Sequence, residues 1–361
     1  MHPTLFHLGP IPIRSYGFMM MLGFLAAVIT SSRRAKKCGA DPEFVTNLAL
    51  LALLSGVIGA RIFYVIHHWP LFAATENPIW SAINLTAGGL EFYGGFLTAV
   101  LCIYIYLRRK NKSIRWYLDI LAPAIMLGLA FGRIGCFLNS CCWGKPTTLP
   151  IAVRFPYASL PFEQQWNKTH LVKVPAEFIL YAPDNTPFLI DRNLIQLTDE
   201  QLKKELETAK PNSGRGVLLN ILNTHLQEYH ITMAGLRKLI KQLDLRTKPI
   251  HPTQLYSSFM ALMISLFLSW YFWHHKYDGE VFVLMFIIYP INRFLIEMLR
   301  ADNPHDTFGL TISQFISLVA IPIALMAFIS LRFLPDKSPR KLAELREANN
   351  ESVSEKQEHK Q

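Results

Sequence analysis

FGRIGCFLNSCCWG, residues 131–144, ends an apolar run with an arginine between glycines, an asparagine and three cysteines. The residues leading into it, LDILAPAIMLGLA at 118–130, carry Asp119 as their one charge. Segment 117–138 is long enough to cross about 30 Å of hydrocarbon as a helix. An arginine near a helix centre in lipid costs about 2.5–3.5 kcal/mol on insertion scales, so Arg133 reads as a functional cation. The partner that suits it is a phosphate that itself resides in the membrane.

The rest of the chain extends this reading. Hydrophobic residues make up 51% of the 361 and charged residues 17%, a balance that a soluble chain of this size seldom has. The net charge of +10 falls largely between apolar runs, which marks topology and argues against a nucleic-acid footprint. Seven segments have spanning length, at about 16–32, 46–66, 89–107, 117–138, 255–273, 280–297 and 312–334. The first lacks a basic leading region and a small-residue cleavage site, so it reads as a retained span and not a signal peptide.

Arg33, Arg34, Lys36 and Lys37 follow segment one, and Arg108, Arg109, Lys110, Lys112 and Arg115 follow segment three. Both loops are therefore expected in the cytoplasm, with the amino terminus outside and the carboxyl terminus inside. The expected fold is an α-helical integral membrane protein: seven transmembrane helices, with a small extracytoplasmic α+β head between helices four and five. Its parts are residues 1–144 (helices one to four), 145–250 (head), 251–334 (helices five to seven) and 335–361 (a charged cytoplasmic tail).

Within the head, TDEQ at 198–201 predicts a helix start with a capping box between Thr198 and Gln201. Helical spacing continues through Leu202 and Leu206 and through Met233, Leu236, Leu239, Ile240 and Leu243. The short runs 151–155, 188–190 and 217–222 are expected to be strands. Residues from 336 on mix both charges with few apolar side chains, the composition of a disordered tail or a solvated helix.

Several polar residues stand in apolar surroundings. Tyr289, Arg293, Glu297 and Arg300 recur at intervals of four, four and three, which predicts one helical face. On that face Arg293 and Glu297 can pair to neutralise each other. Arg14 reads as an interfacial arginine and Arg61, in SGVIGARIFYV, as an interhelical donor or a substrate contact. Asp119 is expected in an ion pair and Pro123 in a helix's first turn. His251 is expected to anchor the loop before Pro252, with a role as base the lesser reading. Cys136, Cys141 and Cys142 have no nearby CxxC or HxxxH to complete a tetrahedral zinc set. Packing at a helix end is the simplest account of them, and a membrane thiol oxidoreductase using them as a redox relay is the alternative function.

Taken together, IRSYG (13–17), GGLEFYGG (88–95), LDILAP (118–123), GRIGCFLN with WG (132–144), HPTQLY (251–256) and YPINRFLIEMLR (289–300) resemble the successive signature blocks of the prolipoprotein diacylglyceryl transferase family. The resemblance covers about 16–144 and 251–334 and leaves 145–250 largely unmatched. It implies a bacterial inner-membrane enzyme that moves the diacylglyceryl group of phosphatidylglycerol to the lipobox cysteine of a prolipoprotein. The products are a thioether and glycerol phosphate, and no cofactor or metal is implied.

By the same resemblance, Arg133 and Arg293 match the family's two principal arginines and are expected to hold the phosphate. Tyr16, Tyr289, Asn139, Gly144 and Glu297 fall on motif positions; Tyr16 and Tyr289 are catalytic candidates, and Asn139, Gly144, Glu297, Arg61 and Arg300 join Arg133 as substrate-binding candidates. Two positions depart from the family pattern. Where a histidine proposed as base is usual before the double glycine, this chain has Tyr93, and Cys136 and Cys141 stand where asparagine and glutamate are frequent. A tyrosine of pKa near 10 needs help to act as a base. The expected division of labour is therefore phosphate stabilisation by arginine, with Tyr93 or water taking the thiol proton.

Overall fold

Each of the seven apolar stretches forms a helix in the computed structural model, which describes residues 4–8, 11–73, 77–84, 88–209, 213–304 and 307–334. Antiparallel strands β1 (Thr4–Leu8) and β2 (Ile11–Arg14) lead directly into α1 (Ser15–Lys37). Then come α2 (Pro42–His67), α3 (Trp69–Ala73), α4 (Pro78–Ile83), α5 (Phe92–Arg109) and α6 (Ile114–Leu138). The start of α2 shows how sequence sets a boundary. Asp41 accepts the Glu43 N–H at 2.9 Å and Pro42 takes the first turn, where its missing N–H costs nothing.

The polar stretch contributes α7 (Leu160–Asn167), β3 (Ile179–Tyr181), β4 (Pro187–Leu189), α8 (Arg192–Ile195), α9 (Asp199–Thr208), α10 (Gly214–Glu228) and α11 (Met233–Gln242). The chain then forms α12 (Thr253–Tyr271), α13 (Glu280–Met298) and α14 (Ile312–Ser330). The fold is thus mostly helical. Among the described residues its sheets are two antiparallel pairs, β1 with β2 and β3 with β4.

Among the described residues, five helices are long and apolar enough to cross a membrane: α1, α2, α6, α13, and α14 with its extension to Phe333. α5 and α12 occupy the third and fifth expected spans but are more polar. α5 ends in Arg108 and Arg109, and α12 opens with Thr253, Gln254, Ser257 and Ser258. On α2, Leu54, Ile58, Ile62 and Ile66 form an exposed apolar stripe at four-residue intervals, while Leu48, Ser55 and Gly59 are buried. Water would not favour such a stripe and lipid does. This is a multi-pass membrane protein. The charged tail, 335–361, lies outside the described residues.

The chain divides into two compact units. One takes residues 20–132, 258–294 and the chain from 312 on. Its core gathers Phe44, Leu48, Trp116, Tyr117, Ile120, Leu268, Phe272 and Val281. Here the structure corrects one expectation and adds to another. Pro123 lies well inside α6 and not in its first turn. The buried Asp119 carboxylate has the expected charged neighbour, His275 Nε2 at 3.9 Å, and it also accepts the N–H groups of Gly279 (2.5 Å) and Phe282 (2.8 Å), so it caps the start of α13.

The other unit takes the chain up to Met19, Arg133–Ser257 and Leu295–Thr311. Phe162, Phe178, Leu180, Ile190, Leu219, Leu222, Met233 and Leu236 form its core. The capping box is present: Gln201 N–H donates to Thr198 Oγ1 at 3.1 Å, and Thr198 N–H to Gln201 Oε1 at 2.9 Å. Of the three expected strands, 188–190 overlaps β4. Residues 217–222 instead lie in α10, because Leu219, Leu222 and Leu226 share the buried face at helical spacing and Ser213 caps the helix. Residues 151–155 make only isolated bridges, through Val153 to Ile250.

Candidate active site

Arg133 lies in the last turns of α6, half-buried, with Cys136 one turn further on and buried. Gly135 lets α1 come close, since a Cβ there would sit 3.2 Å from both Met19 Cβ and Tyr16 Cδ2. Tyr16 is thereby set against the GRIG block. After α6 the chain turns sharply. Asn139 is exposed, and Ser140 and Cys142 both adopt left-handed backbone at φ 60°, which costs a non-glycine residue of order 1–3 kcal/mol. Anchors from the start of α12 hold this turn. Thr253 Oγ1 donates to the Cys142 carbonyl at 2.8 Å, and Gln254 Nε2 to the Cys141 carbonyl at 2.7 Å.

Gly144 follows in a bridge to Arg300. A Cβ at 144 would lie 2.6 Å from His251 Cβ and from the His251 carbonyl, so the position requires glycine. His251 serves as the expected anchor: its N–H donates to the Lys145 carbonyl at 3.0 Å, and its ring Nδ1 lies 3.4 Å from the Tyr256 hydroxyl.

The expected stripe on α13 is interrupted. The helix ends at Met298, and Arg300 is carried by a tight exit turn in which its N–H reaches the Glu297 carbonyl. Arg300 grips Asp302 with both Nε (2.9 Å) and Nη2 (2.7 Å), and its Nη1 lies 3.4 Å from Glu297. Asn303 donates to the other Glu297 oxygen. Burial would lower the Arg300 pKa, but the Asp302 contact outweighs it and raises the value. Two carboxylates and one guanidinium therefore form a largely buried network.

Beside this network lies a cavity of about 290 Å³ lined by Trp143, Gly144, Lys145, Gln164, Arg300 and Asn303, among others. Its wall is tied together by Gln164, which accepts from Trp143 Nε1 and donates to the Ala301 carbonyl at 2.8 Å.

In the other unit, Arg61 is buried and makes five hydrogen bonds of 2.6–3.0 Å to the carbonyls of Ser81, Ala82, Asn84, Gly88 and Gly89. Five is the full donor count of a guanidinium. Arg61 holds the loop that leads into α5. Tyr93 stands in the first turn of α5, exposed, while Gly94 and Gly95 are buried against α2. A nearby imidazole carries no local sequence signal beyond the histidine pair in VIHHW: His67 Nδ1 lies 2.8 Å from the Glu91 carboxylate, two residues before Tyr93. Tyr289 is half-buried against the core, and Arg293 donates to Ser313 Oγ at 2.9 Å.

Cys136, Cys141 and Cys142 come together in the unit that holds Arg133–Ser257. None of the five cysteines is in a disulfide, and the three sulfurs lie within 4.8 Å of one another.

Apolar helices that carry arginines, and a polar turn locked between helix ends, define an integral membrane protein with cations held among its apolar helices. Comparison with known proteins is specific. A family model described as prolipoprotein diacylglyceryl transferase matches residues 3–330. A phosphatidylglycerol–prolipoprotein diacylglyceryl transferase of Clostridium tetani is 30% identical over 333 residues, 92% of this chain and 99% of the relative. One from Corynebacterium diphtheriae is 27% identical over 330 residues, 90% of this chain and 91% of the relative. One from Chloroflexus aggregans is 42% identical over 151 residues, 42% of this chain and 48% of the relative. The chain belongs to the prolipoprotein diacylglyceryl transferase family. The match supports the transferase reading and lends nothing to the thiol oxidoreductase.

Proposed function

We propose that this protein transfers the diacylglyceryl group of phosphatidylglycerol to the thiol of a prolipoprotein's lipobox cysteine, in a bacterial plasma membrane. The observation that carries the reading is the family match from residue 3 to 330, which runs through every signature block. In this reading the chain crosses the bilayer seven times, α5 and α12 included. The amino terminus and the head at 145–250 face away from the cytoplasm, and the tail at 335–361 lies within it.

Transfer breaks the bond between the glycerol carbon and the phosphate oxygen and forms a bond from sulfur to that carbon. The electron pair leaves with the phosphate, so the main barrier is charge development on the departing oxygen. A guanidinium offers a planar fork of donors that fits phosphate and needs no rearrangement as charge grows. Arg133 and Arg293 are assigned this role. Tyr16 and Tyr289 are assigned to the catalytic group, Asn139 and Gly144 to shaping the substrate site, and Tyr93 or water to accepting the thiol proton. Glu297 and Arg300 are assigned to the substrate site through the cavity wall they help to build, and Arg61 through the loop it holds ahead of Tyr93.

The test is mass spectrometry of a lipobox peptide incubated with purified protein and phosphatidylglycerol. A diacylglyceryl adduct on the cysteine is expected from wild type and its loss from Arg133→Ala. No adduct from well-folded wild type would refute the reading. Tyr93→Phe in the same assay separates a tyrosine proton acceptor, whose loss slows transfer strongly, from water, whose use leaves it near wild type.

A further inference from the structure

The sequence alone gave the three clustered cysteines no fourth ligand, and so no metal. The structure brings their sulfurs together although Cys136 is in a helix and the other two are in a turn. Three thiolates bound to one ion at about 2.3 Å place their sulfurs roughly 4 Å apart, and these lie within 4.8 Å of one another. Small rotamer adjustments close that gap.

The turn is built to keep this geometry. Cys142 adopts a left-handed backbone at φ 60°, and Thr253 and Gln254 fix the carbonyls of Cys142 and Cys141. Gln254, 1% exposed, retains an unpartnered buried acceptor in its Oε1, an unmet demand on the residue that clamps the turn.

We propose that Cys136, Cys141 and Cys142 bind a thiophilic divalent ion of the zinc class, and that its open fourth position takes the acceptor thiol of the substrate. The second half rests on the transferase reading. Soft thiolate donors select zinc-class ions, and three protein ligands with one open position is the pattern of a reactive zinc site. A thiol that coordinates such an ion gives up its proton to water and stays nucleophilic at neutral pH. That supplies the deprotonation for which Tyr93 is poorly suited. Sulfur then attacks the glycerol carbon as the phosphate leaves with its electron pair, and the thioether product, a weaker ligand than thiolate, departs.

The experiment titrates the purified, metal-stripped full-length protein with Co²⁺ as an optical stand-in for zinc. Thiolate-to-cobalt absorption is expected to saturate at one equivalent, to vanish in Cys141→Ser/Cys142→Ser and to persist in Cys38→Ser/Cys102→Ser. A lipobox peptide is expected to shift the cobalt visible bands, and its Cys→Ser counterpart to leave them unchanged. As a variant-free readout, Zn²⁺ is expected to shield Cys136, Cys141 and Cys142 from alkylation by iodoacetamide, and Cys38 and Cys102 to alkylate as before. Uptake that is absent, indifferent to the cysteine changes or unresponsive to the thiol peptide overturns the proposal. Equal adduct formation by stripped and zinc-loaded wild type would also overturn it while leaving the transferase intact. Failure of the transferase reading is a different result: no adduct from zinc-loaded wild type.

Discussion

Arg61→Lys separates a positioning arginine from a phosphate ligand. The native guanidinium supplies five N–H groups to five carbonyls, whereas an ammonium has three donors and no planar fork. At least two carbonyls lose their partner. Each shielded acceptor left unmet costs about 1–3 kcal/mol, so the substitution should destabilise the protein by about 2–6 kcal/mol. The positive charge is retained. A residue whose task is to attract phosphate would therefore tolerate the change in stability and show it mainly in KM. The assay pairs thermal unfolding of the detergent-purified variant with the kinetics of diacylglyceryl transfer. A clear fall in the unfolding midpoint, together with faster proteolysis of the α4–α5 loop, is expected. A wild-type midpoint and loop protection with a raised KM for phosphatidylglycerol would refute the reasoning.

Three further outcomes follow from specific contacts. Gly144→Ala forces a Cβ to 2.6 Å from His251 backbone and Cβ atoms; overpacking of this kind costs about 1–3 kcal/mol, and a lowered unfolding midpoint should appear beside an unchanged Gly214→Ala control, where nothing lies within 4 Å. Asp119→Ala leaves the Gly279 and Phe282 N–H groups without their acceptor and should destabilise by about 2–6 kcal/mol, seen as faster hydrogen exchange at the start of α13. Burial, and then Asp191, raises the Glu163 pKa. The folded form thus holds the proton to a higher pH than the unfolded one, so this contribution to stability is full below the unfolded pKa and is lost as pH rises through the folded value. Glu163→Gln should remove that slope from the midpoint-against-pH curve.

The long helices were legible because lipid-facing stretches need unbroken apolar runs, and each of the seven runs became a helix. The capping box at Thr198 was legible because both of its hydrogen bonds are local. The misread elements share a cause. VLLNIL at 217–222 has strand composition, but its neighbours extend a helical burial pattern beyond that window. The end of α13 was equally hidden, since spacing alone carries Arg300 onto the Tyr289 face while the helix stops at Met298. Asp119 as a cap, and His67 against Glu91, depend on pairings between distant segments that no local pattern announces.

The arginines show most sharply what sequence leaves unresolved. Arg61 and Arg300 each stand in or beside an apolar run, and insertion cost alone marks them equally as functional. The structure separates them by what their donors meet: backbone carbonyls for Arg61, and the Asp302 and Glu297 carboxylates for Arg300. It also explains why sequence-distant blocks go together. Lys145 donates to the Leu299 carbonyl, His251 to the Lys145 carbonyl and Thr253 to the Cys142 carbonyl, so the ends of α6 and α13 and the start of α12 form one hydrogen-bonded knot. Gly144 sits in that knot because nothing larger fits, and Thr253 and Gln254 because the strained turn needs holding. Part of what looks like a catalytic signature is therefore the scaffold that fixes the turn bearing Asn139 and the cysteines, and substitutions there should act on stability and geometry before they act on chemistry.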